Sequence, residues 1–173
     1  MKTKFMIIML VFKMTLTFSS ELFYNSNNPE SICLDISGNI QAKSVDGNDS
    51  YTAELLLDNK IIQQITIKDR RSFKFSLLKN HWYTIRISKS GYYQRLISIC
   101  TDLPKNKNGL YKFHFDTELI PLTGAQAIDQ DALDFPIAII NYDKDAEWFY
   151  YNEEYTANMK RQLYKPILAR TKN

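Results

Sequence analysis

Ser72–Ile99 reads SFKFSLLKNHWYTIRISKSGYYQRLISI, and its alternation decides the fold class. Phe73, Phe75 and Leu77 alternate with Ser72, Lys74 and Ser76, and Tyr83, Ile85 and Ile87 alternate with Thr84, Arg86 and Ser88. Beyond Gly91 the apolar positions Tyr93, Ile97 and Ile99 continue the pattern. A period of two sends alternate side chains to opposite faces, so this stretch predicts three consecutive half-buried strands joined by tight turns. Gly91 suits one of those turns because it tolerates a positive φ that a bulky residue resists.

The same pattern extends outward in both directions. Upstream, Leu34 to Ala42 places Leu34, Ile36, Ile40 and Ala42 on one face, with Gly38 among them marking a bulge or a close approach. Tyr51 to Leu57 and Ile61 to Ile67 flank an Asp58-Asn59 turn, and downstream Tyr111 to Ile120 adds a further strand. Seven short strands at this spacing predict a mainly β chain, a seven-stranded antiparallel β-sandwich over residues 32–122.

Residues 123–173 depart from this rhythm and read as an extension packed on the sandwich. A polar connector holds Asp129, Asp131 and Asp134, then Phe135 to Tyr142 (FPIAIINY) forms a continuous apolar run that suits a strand buried on both faces. Asp143 to Ala146 turns it back into Trp148 to Tyr151, which completes a C-terminal β-hairpin. Asn152 is placed to cap one α-helix, with Glu153 and Glu154 in its first turn and Tyr155, Met159 and Leu163 as its apolar stripe. Pro166 is expected to end that helix.

At the other end, Lys2 and Lys4 precede the apolar run Phe5 to Phe12, and small residues follow at Thr17, Ser19 and Ser20. Residues 1–19 therefore read as an export signal cleaved after Ser19, and residues 20–31 as a flexible linker. Lys13 interrupts an apolar run far shorter than the roughly 20 residues that cross a bilayer, so no stable transmembrane span is expected after cleavage. The net charge of +3 belongs to Lys2, Lys4 and Lys13, and without them the formal charge is zero. Net charge therefore gives no support to a nucleic-acid partner. The remaining chain of roughly 150 residues suits one domain with an extension.

Few residues carry chemistry. Export permits a disulfide between Cys33 and Cys100, against two separate packed thiols. His114, Asp116 and Glu118 share one strand face, but successive same-face residues stand about 6.8 Å apart, too far for three such side chains to close easily on one metal. A solvated polar face is the expectation, with no metal and no cofactor. Asp129, Asp131 and Asp134 lack the glycine and terminal glutamate of an EF-hand loop and read as a solvated linker, and Asp143 and Asp145 as a turn. No G-x-S-x-G elbow is present, and His81 sits in a turn. No catalytic site is assigned. The densest aromatic run, Trp148, Phe149, Tyr150 and Tyr151, is the candidate binding surface for a partner or a sugar ring. In the competing arrangement Trp148 and Tyr150 face the core.

Between Ile36 and Ile99 the chain resembles the carboxypeptidase regulatory-like domain, a member of the transthyretin-like sandwich group. The resemblance is carried by ISGNIQAKS at Ile36 to Ser44, AELLLD at Ala53 to Asp58, FKFSL at Phe73 to Leu77 and YTIRISKSGYY at Tyr83 to Tyr93. Where the family often has an Asp-x-x-Gly turn, this chain has Asp69-Arg70-Arg71-Ser72. The whole chain also looks like exported proteins of the Bacteroidetes type. The resemblance implies an Ig/transthyretin-like sandwich acting as a non-catalytic accessory module in the periplasm or cell envelope of a Gram-negative bacterium. Its expected partner is another envelope protein, in protein–protein interaction or envelope assembly. A carbohydrate-binding module that holds a glycan on exposed aromatics is the alternative.

Overall fold

The computed structural model describes residues 31–42, 50–68, 72–122 and 131–170. The proposed export signal, all of the linker but Ser31, and Asp129 lie outside the described residues. The strands are β1 (Ile32–Gln41), β2 (Tyr51–Leu57), β3 (Lys60–Ile67), β4 (Ser72–Leu78), β5 (Trp82–Ser88), β6 (Arg95–Cys100), β7 (Tyr111–Glu118), β8 (Ala138–Asp143) and β9 (Trp148–Tyr151). A 3-10 turn at Asp131–Asp134 precedes β8, and α1 (Glu153–Arg170) follows β9.

The chain is mainly β, with two mixed sheets among the described residues. One has the order β4-β1-β7 and the other β3-β2-β5-β6-β8-β9. The expected seven antiparallel strands are corrected here, because β1 pairs with β7 in parallel and β6 pairs with β8 in parallel. A parallel pair needs a long crossover. Between β6 and β8 the chain visits the other sheet as β7 and returns through the 3-10 turn, which strand-by-strand alternation does not reveal. The C-terminal hairpin is correspondingly part of the larger sheet, hydrogen-bonded to β6 through Ile97–Ala138 to Ile99–Ile140.

Alternation positions the core as the sequence pattern requires. Phe73, Phe75 and Leu77 are buried, as are Tyr83, Ile85 and Ile87, and both sets join Leu34, Ile36, Ile97 and Ile140 in a cluster lined by both sheets. Gly38 lies opposite Phe73 on one neighbouring strand and Phe115 on the other. A Cβ there would come within 2.7 Å of the Phe73 ring and 2.8 Å of the Phe115 ring, so this glycine marks a close approach. The two rings meet edge to face above it, centroids 5.8 Å apart. At the β2–β3 hairpin, Asp58 and Asn59 take φ of 50° and 61°, the paired left-handed conformation that suits a two-residue turn. Gly91 has φ of 79°.

Several boundaries differ from the sequence expectation; among them, β7 ends at Glu118 rather than Ile120. Phe135 and Pro136 precede β8 rather than form it, and Phe135 is exposed. Tyr93 lies outside β6 and packs with Ala132, Leu133, Met159 and Leu163 in a second cluster under α1. Pro166 does not end α1, which continues to Arg170. The start of α1 is as expected: the Asn152 side-chain oxygen accepts the Tyr155 amide at 2.9 Å, and Met159 and Leu163 are buried. No described helix is long and apolar enough to cross a membrane.

Candidate functional site: an open strand edge and an aromatic sheet face

Six strands face three, and the mismatch determines what is left exposed. Beside β7, α1 packs against β8 and the 3-10 turn and fills part of the gap. At the opposite end lies β3, the terminal strand, whose outer edge pairs with no strand among the described residues. Ile67 is buried against the core and Ile65 is partly covered, while Lys60 to Gln64 is exposed on both faces. Ile61 and Ile62 are 48% and 52% exposed, adjacent in sequence and set beside an irregularity in register between Leu55 and Leu56 of β2. Between Lys60 and Ile67 the chain reads IIQQIT, with neither charge nor proline to discourage pairing.

The larger sheet's outer face carries the aromatic side chains. Cross-strand partners share a face, so Trp82 stands opposite Cys100, Asn141 opposite Tyr150, and Asp143 opposite Trp148. Trp148 and Tyr150 are 45% and 49% exposed, whereas Phe149 is fully buried. The competing arrangement, with Trp148 and Tyr150 in the core, is thus reversed, and the four-residue run is not one platform. Phe149 anchors β9 from inside: its ring meets Tyr111 at 5.5 Å and Tyr142 at 5.6 Å, both edge to face. Tyr151 is partly buried and meets Phe113 at 5.3 Å. Burial, reinforced by the nearby Asp116 charge, pushes the Tyr151 phenol up to about 12, so it stays a neutral hydroxyl.

The outer face of the smaller sheet is a closed polar network. Asn39 donates to Asp116 Oδ1 at 3.0 Å and lies 3.0 Å from His114 Nε2, while His114 Nδ1 lies 2.9 Å from Ser37 Oγ. Both ring nitrogens lie against side chains of β1. Nearby, Lys74 and Ser76 both reach Asp35 at 2.7 Å.

The remaining candidates resolve into structural roles. Asp143 Oδ1 accepts the amides of Asp145 and Ala146 at 2.8 and 3.0 Å, and those two hydrogen bonds hold its carboxyl below the usual carboxylate range. Asp134 is exposed at the end of the 3-10 turn. Cys33 and Cys100 are both buried and free. Burial pushes the Cys33 thiol up to about 12 and raises that of Cys100, so both remain protonated at neutral pH, the opposite of an activated nucleophile. His81 donates its backbone amide to Thr101 Oγ1 at 2.9 Å in the β4–β5 turn.

Ile61, Ile62 and Trp82 were not singled out as site residues from the sequence. Trp82 was findable, since it shares phase with Thr84 and Arg86 and so points away from the core. The Ile61-Ile62 doublet was findable as a break in alternation.

No family model matches the chain, and no curated protein matches it. Among solved structures, the chain is similar to the crystal structure of S.CueP at 14% identity, with a TM-score of 0.36 over 54% of this chain. The match spans 65% of that chain, just under two thirds of its length. A likeness of this size carries no argument about fold or function.

Proposed function

We propose that this chain is a non-catalytic, exported cell-envelope module that engages a protein partner by strand addition along β3. The observation that carries this reading is the open edge of β3, with Ile61 and Ile62 both exposed. Exposed strand edges normally carry charge, proline or a cover because they template pairing with other chains. Residues 61–66 carry neither charge nor proline, and no strand among the described residues pairs with their outer edge. Strand addition supplies affinity through main-chain hydrogen bonds and specificity through alternating side chains. The export signal at residues 1–19 and the resemblance of Ile36 to Ile99 to carboxypeptidase regulatory-like domains, as an Ig/transthyretin-like unit, support the envelope setting and the accessory role.

A second reading, glycan binding, rests on Trp148 and Tyr150 sharing one exposed face of β9. Trp82 lies on the same side of the sheet. Aromatic faces of this kind stack on sugar rings.

Crosslinked affinity capture from the source cell envelope separates the two. The wild-type chain is compared with an Ile61→Lys/Ile62→Lys variant and a Trp148→Ala/Tyr150→Ala variant. A recurrent partner crosslinked at β3 and lost only from the lysine variant is expected. Glycan-array retention lost only from the aromatic variant, with no β3 crosslink, would overturn the strand-addition reading.

A further inference from the structure

Where α1 closes over the end of the larger sheet it leaves a cleft that the strand-addition reading does not use. The cleft has two lobes, of about 330 and 370 Å³, whose walls share Asp116, Thr117, Ile137 and Lys160. Each is at the lower end of the range for small-molecule sites. Ile97, Phe115 and Ala138, all buried, give the first lobe an apolar floor.

Two threonine hydroxyls in these walls have no hydrogen-bond partner among the described residues. Thr117 is 5% exposed and lines both lobes, and its Oγ1 is buried and unpaired. Thr156 lines the first lobe from α1, and its Oγ1 is in the same condition. A helical threonine can return its hydroxyl to the carbonyl four residues back, and Thr156 does not. Leaving a buried hydroxyl unpaired is costly, and valine would match the shape of Thr117 without that cost.

The ionic groups around the cleft are of both signs. Asp116 and Glu153 border the first lobe together with Lys160, and Asp116 and Glu118 border the second together with Lys160 and Arg95. Two of them are already engaged: Arg95 Nε donates to the Glu118 carbonyl at 3.1 Å, and Asp116 Oδ1 accepts from Asn39 at 3.0 Å. A charged head of either sign would meet a like charge in each lobe and would give up hydration beside the apolar floor. An uncharged hydrogen-bonding group meets neither penalty, and it is what an unpaired hydroxyl requires. Tyr151, also in the wall of the first lobe, stays a neutral phenol and adds no charge.

We propose that this cleft binds a small uncharged amphiphile, an alcohol or ketone, whose oxygen accepts a hydrogen bond from Thr117 and whose apolar body lies over Phe115 and Ala138. Binding turns Thr117 to another staggered well, about 120° in χ1, and so brings the hydroxyl to the cleft wall. Apolar burial supplies the affinity and the hydroxyl the orientation.

The test is an NMR titration of the full chain, followed at backbone amides and threonine methyls, with 1-hexanol, 2-hexanone, hexanoate and hexylammonium as probes. Hexanol and hexanone are expected to give saturable shifts at Thr117, Ile137 and residues 156–160, and to bind about tenfold tighter than either ion. Thr117→Val is expected to weaken both about three- to tenfold and to raise Tm by about 2–4 °C, because it removes an unpaired hydroxyl. Ala157→Phe, at an exposed position of α1 bordering the first lobe, should block binding in a chain that still folds. Absence of saturation, an ion binding as tightly as the alcohol, or unchanged affinity in Thr117→Val would each overturn the proposal. So would a lowered Tm in Thr117→Val, which would mean a hydroxyl already paired, or shifts centred on Trp148 and Tyr150. None of these outcomes bears on β3, so the two readings stand or fall separately.

Discussion

At one edge of the six-stranded sheet β9 drives Phe149 into the core, and at the other β3 leaves Ile61 and Ile62 in solvent. Both are terminal strands with apolar side chains on both faces. They differ in what lies beneath. Under β9 stand Tyr111 from the smaller sheet and Tyr142 from β8, each meeting the Phe149 ring edge to face. Under the hairpin end of β3 the three-stranded sheet gives no comparable cover, and Lys60 to Gln64 is exposed throughout. A strand's apolar content thus does not decide whether it belongs to the core. The width of the opposing layer does.

Breaking the anchored edge should have the largest effect. Phe149→Ala is expected to cost about 3–5 kcal/mol in urea unfolding, whereas Ile62→Ala should stay within about 0.5 kcal/mol. Similar losses at the two positions would erase the distinction between the edges. Gly38→Ala probes the middle of the smaller sheet, where the added methyl meets two ring edges. A loss of about 1–3 kcal/mol is expected by the same measurement. Asn152→Ala removes the cap that starts α1 beside β9 and should cost about 1 kcal/mol, with reduced helical circular dichroism.

The smallest effect concerns Asp35 on the outer face of the smaller sheet. Burial works to raise its pKa, but hydrogen bonds from Lys74 and Ser76, with the Lys74 charge, outweigh burial and hold the carboxyl below its ordinary value. A carboxyl depressed in the folded state contributes stability above its unfolded pKa, near 4, and loses that contribution as pH falls through the folded pKa. Asp35→Asn should therefore lower stability at pH 7 by roughly 0.2–1 kcal/mol, and the difference from wild type should shrink as pH falls below about 4 in paired urea titrations.

Much of the architecture was legible in the sequence because period-2 alternation reports burial directly. Phe73 to Leu77, Tyr83 to Ile87 and the face shared by Leu34, Ile36, Ile40 and Ala42 all point inward as their spacing requires. The Asn152 cap and the Met159–Leu163 stripe were equally readable, being local. What escaped was non-local. Alternation says which side of a strand is buried but not which strand lies beside it, so the parallel pairs of β1 with β7 and β6 with β8 were missed. Pro166 was misread because a helix interrupter was treated as a terminator. At the candidate site, the aromatic run at Trp148 to Tyr151 was visible, but its phase was reversed, since both faces of so short a strand are aromatic. Thr117 and Thr156 gave no sequence signal. Their common property, a buried hydroxyl with no hydrogen-bond partner, arises only where β7 and α1 come together, two elements distant in the chain.

Hydrogen exchange resolved to individual strands, on the chain free and bound to the partner recovered by crosslinking, tests the role of the open edge most directly. Strand addition predicts slowed exchange along Lys60–Ile67 in the complex, with Trp148–Tyr151 unchanged. Protection confined to Trp148–Tyr151, with Lys60–Ile67 exchanging as in the free chain, would contradict it.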